Sequence, residues 1–203
     1  MPLPDVERPL EPLWRGMLVY RGLTLLSAVA GVLLTLGGFA SPAGAVAVLA
    51  VMVAWTAGSG YAYLRRPGGR DHRGRIALVD LVVTVAVMAT TPLVQTAAQL
   101  AAGASVMGSI WTSGAVLACA IAFGVPGGLG SAAAVSAALA LFQPRIEAEL
   151  PDMQLLVLAG LTIGFASTVL RRSAERVRRA VASEAAVAER ERLARAVHDG
   201  VLQ

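Results

Sequence analysis

The chain contains no lysine: all seventeen basic residues are arginine. It has a single cysteine, Cys119, which excludes an intrachain disulfide, a thiolate metal set and a dithiol redox pair. Charge is scarce as well, at 15% of residues against 56% hydrophobic, with a mean hydropathy of +0.67. That balance excludes an ordinary soluble domain of 203 residues and points to an integral membrane protein. A net charge of +4 and a pI near 10.2 are the usual footprint of a nucleic-acid binder. Here the arginines gather at the ends of apolar runs and in one short stretch, so membrane topology accounts for them and direct nucleic-acid binding is not expected.

The apolar runs predict six spans. Residues 1–16 are polar and proline-rich, with Trp14 and Arg15 expected as anchors at the membrane surface. Met17 to Phe39 is the first span; it is too long, and its leader too acidic (Asp5, Glu7, Glu11), for a cleaved signal peptide. Ala43 to Leu64 is the second. Arg65 to Arg75, RRPGGRDHRGR, carries five arginines in eleven residues and reads as a loop broken by Pro67, Gly68 and Gly69. By the positive-inside rule it is cytoplasmic, which puts the N-terminus inside as well. His72 reads as a solvated loop residue.

Ile76 to about Ala98 is the third span, bent at Pro92, and an uncharged external connection follows near Gln99 to Gly103. Ala104 to Phe123 is the fourth, Gly124 to Gly130 a tight turn, Leu129 to Gln143 the fifth. The GxxxG formed by Gly124 and Gly128 straddles a proline and is weak evidence for helix packing. An acidic external loop at Gln143 to Asp152 leads into the sixth span, Met153 to Leu170, stopped by Arg171 and Arg172. External loops of roughly ten residues or fewer cannot fold a ligand-binding domain, which needs about forty. Any signal is then read within the membrane, from lipid, or through a partner.

Two charges fall inside spans, Arg21 and Asp80, each about one turn from the cytoplasmic face on these boundaries. The cost of burying either alone suggests a pair; two side chains snorkelling separately to the surface is the alternative.

From Arg171 the chain turns into charged, alanine-rich helix with no Gly or Pro until Gly200. Leu170, Ala174, Val177 and Val181 keep a coiled-coil spacing, whereas Val187, Ala194, Val197 and Val201 fit a second register. The phase therefore slips between Ala182 and Arg190, as in a stutter that lets a signalling helix switch packing; a plain surface helix tolerant of any register reads the same way.

The last fifteen residues, ERERLARAVHDGVLQ, place Leu193, Ala194, Val197 and Val201 on one helical stripe with His198 at its edge. Glu191, Arg192, Leu193, Ala194 and Arg195 followed by His198, Asp199 and Gln203 resemble the phosphoacceptor helix of sensor histidine kinases of the NarL/DesK type, with H-[DE]-x-x-x-[QN] after E-R-x-R-[IL]-A-R. Together with PLWRGMLVYR and the six-span region, the chain is similar to the front half of actinobacterial MacS-like sensor histidine kinases. A nucleophilic imidazole must be neutral at the attacking nitrogen, and the neighbouring Asp199 suits fixing its tautomer and taking up the proton.

The resemblance implies an all-α integral membrane protein, six transmembrane helices followed by a coiled-coil signalling helix that runs into the first dimerisation helix. The implied units are a cytoplasmic segment 1–16, a membrane sensor 17–170, a linker 171–188 and the start of a phosphoacceptor domain 189–203. It further implies autophosphorylation of His198 from Mg-ATP, with Asp199 as orienting base and Gln203 positioning water in the reverse, phosphatase reaction. A homodimer in the cell membrane with both termini cytoplasmic, and a DNA-binding response regulator as partner, complete that expectation. ATP and Mg2+ are expected to bind outside this chain, which carries neither a second hairpin helix nor a Gly-rich nucleotide domain and is expected to be inactive alone. The alternative is a six-span binding, scaffold or transport protein with an incidental His-Asp pair. A transporter would show mid-membrane polar residues and internal repeats, and only Arg21 and Asp80 are in view.

Overall fold

A computed structural model describes residues 8–64, 69–101, 106–143 and 145–201. These are all-helical, with no strand among them. A short 3-10 turn, Arg8–Leu10, leads into α1 (Glu11–Thr35), and α2 (Pro42–Leu64) returns antiparallel. Then follow α3 (Gly69–Ala89), α4 (Thr91–Val94), α5 (Ala97–Ala101), α6 (Ser109–Phe123), α7 (Val125–Phe142) and α8 (Ile146–Val201). The end of the bundle at which α1 begins and from which α8 emerges is called proximal here, the opposite end distal.

Five helical stretches are long and apolar enough to cross a membrane: Glu11–Gly38, Pro42–Leu64, His72–Val94, Val125–Phe142 and Glu149–Val187. Their outer faces are apolar, with Leu34 87%, Leu141 76% and Leu93 74% exposed, a surface suited to lipid and not to water. The sixth apolar helix, α6, differs. At 15 residues it is about 22 Å long, short of a bilayer core of about 30 Å. Ten of its residues are buried, from Trp111 to Ala122, because α1, α3, α7 and α8 all pack on it. Helix α6 is the centre post of the bundle. Its start is set by Gly108 at φ 70°, a left-handed position that only glycine adopts without strain, and its end by Gly124 at φ 75°. The helix therefore begins five residues later than the run from Ala104 suggests.

Several local expectations change. The arginine-rich stretch is not loop throughout: α3 begins at Gly69, so His72, Arg73 and Arg75 ride on its first turns. The turn after α6 is Gly124 alone, since Val125 already opens α7 with Pro126 in its first turn, where the missing N–H costs nothing. Pro92 does bend the third span, which breaks at Thr90 before resuming as α4. Trp14 is not a surface anchor: it is 2% exposed and stacks on Tyr63 with ring centroids 4.8 Å apart.

The GxxxG of Gly124 and Gly128 packs backbone against backbone. Gly124, at the turn before α7, and Gly128 of α7 face Gly160 and Gly164 of α8, a second GxxxG. A Cβ on Gly128 would lie 2.1 Å from the Gly160 carbonyl oxygen, one on Gly160 2.6 Å from that of Gly128, and one on Gly164 2.8 Å from that of Gly124. The two backbones touch, and dispersion between them replaces side-chain packing.

Helix α8 is one uninterrupted element of 56 residues, about 84 Å long. Pro151 falls in its second turn, removing one intrahelical hydrogen bond without ending the helix. The acidic loop before the sixth span is thus mostly helical, and no break separates span from linker.

Candidate functional site

At the core of the bundle, Arg21 on α1 and Asp80 on α3 form an ion pair with both side chains fully buried. Nη2 of Arg21 donates to Oδ1 of Asp80 at 2.6 Å, and Nη1 donates to Oδ2, giving the two-pronged guanidinium–carboxylate geometry. Nε1 of Trp55 on α2 donates to the same Oδ1 at 2.6 Å. On the other side the guanidinium carbon lies 4.7 Å from the ring centroid of Trp111 on α6, a cation–π contact. Nε1 of Trp111 in turn donates to Oγ1 of Thr56 at 3.0 Å. Gly114 makes room for the arginine, whose Nη1 would lie 3.3 Å from a Cβ there. Four helices therefore meet on one charge pair.

The pair lies deeper than the spans drawn from sequence suggest. Arg21 is ten residues into α1, about 15 Å along it, because the helix starts at Glu11. Snorkelling is excluded for both side chains by their complete burial. Burial of an unpaired charge is prohibitive in such surroundings, and here the carboxylate has three donors and the arginine an aromatic lid.

Nearer the proximal end, Arg73 on α3 donates from Nη2 to Glu11 at 3.2 Å and lies over Trp14, 5.4 Å from the ring centroid. This ties the first turn of α1 to the first turns of α3. The junction of the bundle with the emerging part of α8 is tied separately. Nη2 of Arg171 donates to the carbonyls of Ile121 at 2.9 Å and Ala122 at 3.0 Å. Oγ of Ser167 lies 2.9 Å from the Ala120 carbonyl. These are carbonyls of the last turn of α6, where the helix carries partial negative charge; Ala120 also accepts from the Gly124 N–H at 2.9 Å, whereas Ile121 and Ala122 take the Arg171 cation, which both satisfies and neutralises them.

Of the residues singled out at the far end of the chain, His198 and Asp199 lie on the last turns of α8, and Gln203 lies outside the described residues. His198 is 27 positions beyond Arg171, about 40 Å along the helix axis from the Arg171 tie. Trp55 and Trp111 were not anticipated. Their one sequence signal is position: each falls well inside an apolar run, where the indole N–H needs a partner, instead of at a run's end. No group of three or more His, Cys, Asp or Glu suited to a metal ion occurs among the described residues.

A helical bundle with apolar outer faces, a fully buried charge pair at its core and one helix continuing far beyond it defines a membrane-type α-helical protein. The chain belongs to the family of unknown function DUF5931, whose model matches residues 5–178. That match takes in the bundle and the first part of the emerging helix, and His198 lies beyond it. No curated protein matches the chain, and no solved structure does.

Proposed function

We propose that the chain is the membrane sensor and phosphoacceptor module of a two-component histidine kinase. In the intact protein His198 takes the γ-phosphate of ATP and passes it to an aspartate on a DNA-binding response regulator. The observation that carries this reading is the continuity of α8. A helix gripped by backbone contact to α7 and by Arg171 and Ser167 to α6 runs without a break into the E-R-x-R-L-A-R and His-Asp residues. A rigid helix is the simplest means of carrying a rotation or a shift of a bundle to a distant histidine.

In this reading Asp199 orients the imidazole and accepts its proton, and Gln203 positions water in the reverse reaction. Two copies pair along α8 beyond the bundle, where Val177, Val181 and Val187 are exposed. The protein crosses the cell membrane six times, α6 counting as the short sixth pass, with both termini cytoplasmic. The positive-inside rule supports that orientation, since Arg171 and Arg172 share the proximal end with Arg73 and Arg75. This reading assigns Mg-ATP to a separate domain of the intact kinase.

The test is labelling of the native-length gene product in membranes with γ-labelled ATP beside a His198→Gln variant. Acid-labile, base-stable label that vanishes in the variant is the expected result. Equal label in both, or none from a folded dimer, removes His198 from the chemistry.

A further inference from the structure

A cleft of about 290 Å³ opens between α1, α6 and α8 towards the distal end, lined also by the buried Leu139 of α7. Asp152 lines it from α8, with Leu155 and Leu156 a turn further along the same helix, and Tyr20, Ser109 and Ser113 line it from α1 and α6. The hydrogen bonds fix its polarity. The hydroxyl of Ser113 spends its one proton on the Ile110 carbonyl at 2.5 Å, so in the 2.8 Å contact between Tyr20 Oη and Ser113 Oγ the tyrosine is the donor. That leaves the Tyr20 oxygen as an acceptor in the cleft that Asp152 also lines.

The charge around it has one sign near the cleft. Glu149, one turn before Asp152 on α8, is a second carboxyl group and is buried. No cationic side chain among the described residues forms an ion pair with Asp152. Arg145, just before α8, and Glu147 on its first turn are both exposed. A carboxylate and a phenolic acceptor above a leucine-lined trough favour a donor-rich cation on an apolar body, and repel carboxylates and phosphates.

We propose that this cleft is a binding site for a cationic amphiphile, a primary ammonium on a single apolar chain. The ammonium pairs with Asp152 and donates to the Tyr20 oxygen, and the chain lies on Leu155 and Leu156. One wall of the site is α8 itself, so an occupant touches the helix that leaves the bundle. The site stands whether or not His198 is phosphorylated.

A neighbouring cleft of about 390 Å³ shares Ser109 and Ile110 but carries no charged residue, and so provides an internal control. Gly31 lines it with nothing within 4 Å of a Cβ, so a Leu there fills that cleft without a backbone clash.

The experiment uses the whole chain in nanodiscs of zwitterionic lipid, with dodecylamine carrying a mid-chain diazirine as probe and mass spectrometry to locate adducts. Saturable adducts on the α6 and α8 peptides of the cleft are expected, competed by dodecylamine at least tenfold better than by dodecanol and not by dodecanoate. Asp152→Asn is expected to weaken labelling about tenfold or more, and Gly31→Leu to leave it within twofold. Labelling that does not saturate and spreads over the lipid-facing leucines overturns the proposal, as does equal competition by alcohol and amine. The competition series is read on the unmodified chain, so it decides the matter even where Asp152→Asn fails to fold.

Discussion

Removing one member of the Arg21–Asp80 pair is the sharpest perturbation the bundle allows. Both side chains are fully buried, so neither partner left alone reaches water without opening the helices. Arg21→Gln leaves a carboxylate with only the Trp55 indole as donor, and Asp80→Asn leaves a guanidinium against the Trp111 ring and a neutral amide. Breaking a buried pair from one side costs about 3–5 kcal/mol, most of it the desolvation of the charge left behind. The double variant buries no charge, and an asparagine at position 80 still accepts from Trp55, so its loss is expected to fall at least about 2 kcal/mol below the sum of the single losses. The assay is a double-mutant cycle by SDS titration in mixed micelles, followed by far-UV circular dichroism and by tryptophan fluorescence, with Trp55 and Trp111 reporting locally. Single losses that add to within about 0.5 kcal/mol in the double variant would refute the pair as the element that holds four helices together.

Other consequences follow from particular contacts. Gly160→Ala places a Cβ 2.6 Å from the Gly128 carbonyl and is expected to cost about 1–3 kcal/mol in thermal unfolding, whereas Gly130→Ala, on the same interface-bearing α7 with open space at its Cβ, gains about 0.5–1 kcal/mol. Equal effects at the two glycines would deny the close α7–α8 contact. Trp55→Phe keeps an aromatic ring and removes the indole donor to Asp80, with an expected loss of about 1–3 kcal/mol, and the part of it that acts through the charge should vanish in an Asp80→Asn, Arg21→Gln background. Arg171→Ala leaves the Ile121 and Ala122 carbonyls without their cation; amide exchange at the end of α6 and the start of α7 should rise, with a stability loss of about 1 kcal/mol, and Arg171→Lys should restore part of it.

What the sequence discloses and what it withholds divide along physical lines. Arg21 and Asp80 are legible because a charge in an apolar run is so costly that its survival asks for a partner. The tryptophans around them are less so: only a position well inside an apolar run sets Trp55 and Trp111 apart from interfacial indoles, and Trp14, which looks interfacial beside Arg15, is buried on Tyr63. The GxxxG of α7 gains meaning only from Gly160 and Gly164, more than thirty residues away, and no local period says which two helices will touch. The length of α6 is misread from Ala104 because apolar content continues across its true start, and only the left-handed Gly108 marks the boundary. Conversely, breakers are over-read. Pro126 lies in the first turn of α7, where a missing N–H is cheap, and Pro151 in the second turn of α8 removes one hydrogen bond without ending the helix, so α7 and α8 begin earlier than proline-based boundaries suggest. The result is a longer α8, joining the sixth apolar run to the charged helix in one element.

The central claim is that α8 carries the state of the bundle to His198, and phase is its most direct test. One to seven alanines are inserted after Ser183 in the native-length protein, and label on His198 from γ-labelled ATP is measured in membranes. Each added residue rotates the downstream helix by about 100°, and seven restore it to within about 20°. The account predicts His198 labelling that rises and falls with a period near 3.6 residues and returns at seven. Labelling indifferent to the insertion, or no acid-labile phosphate on His198 at any length, would contradict it.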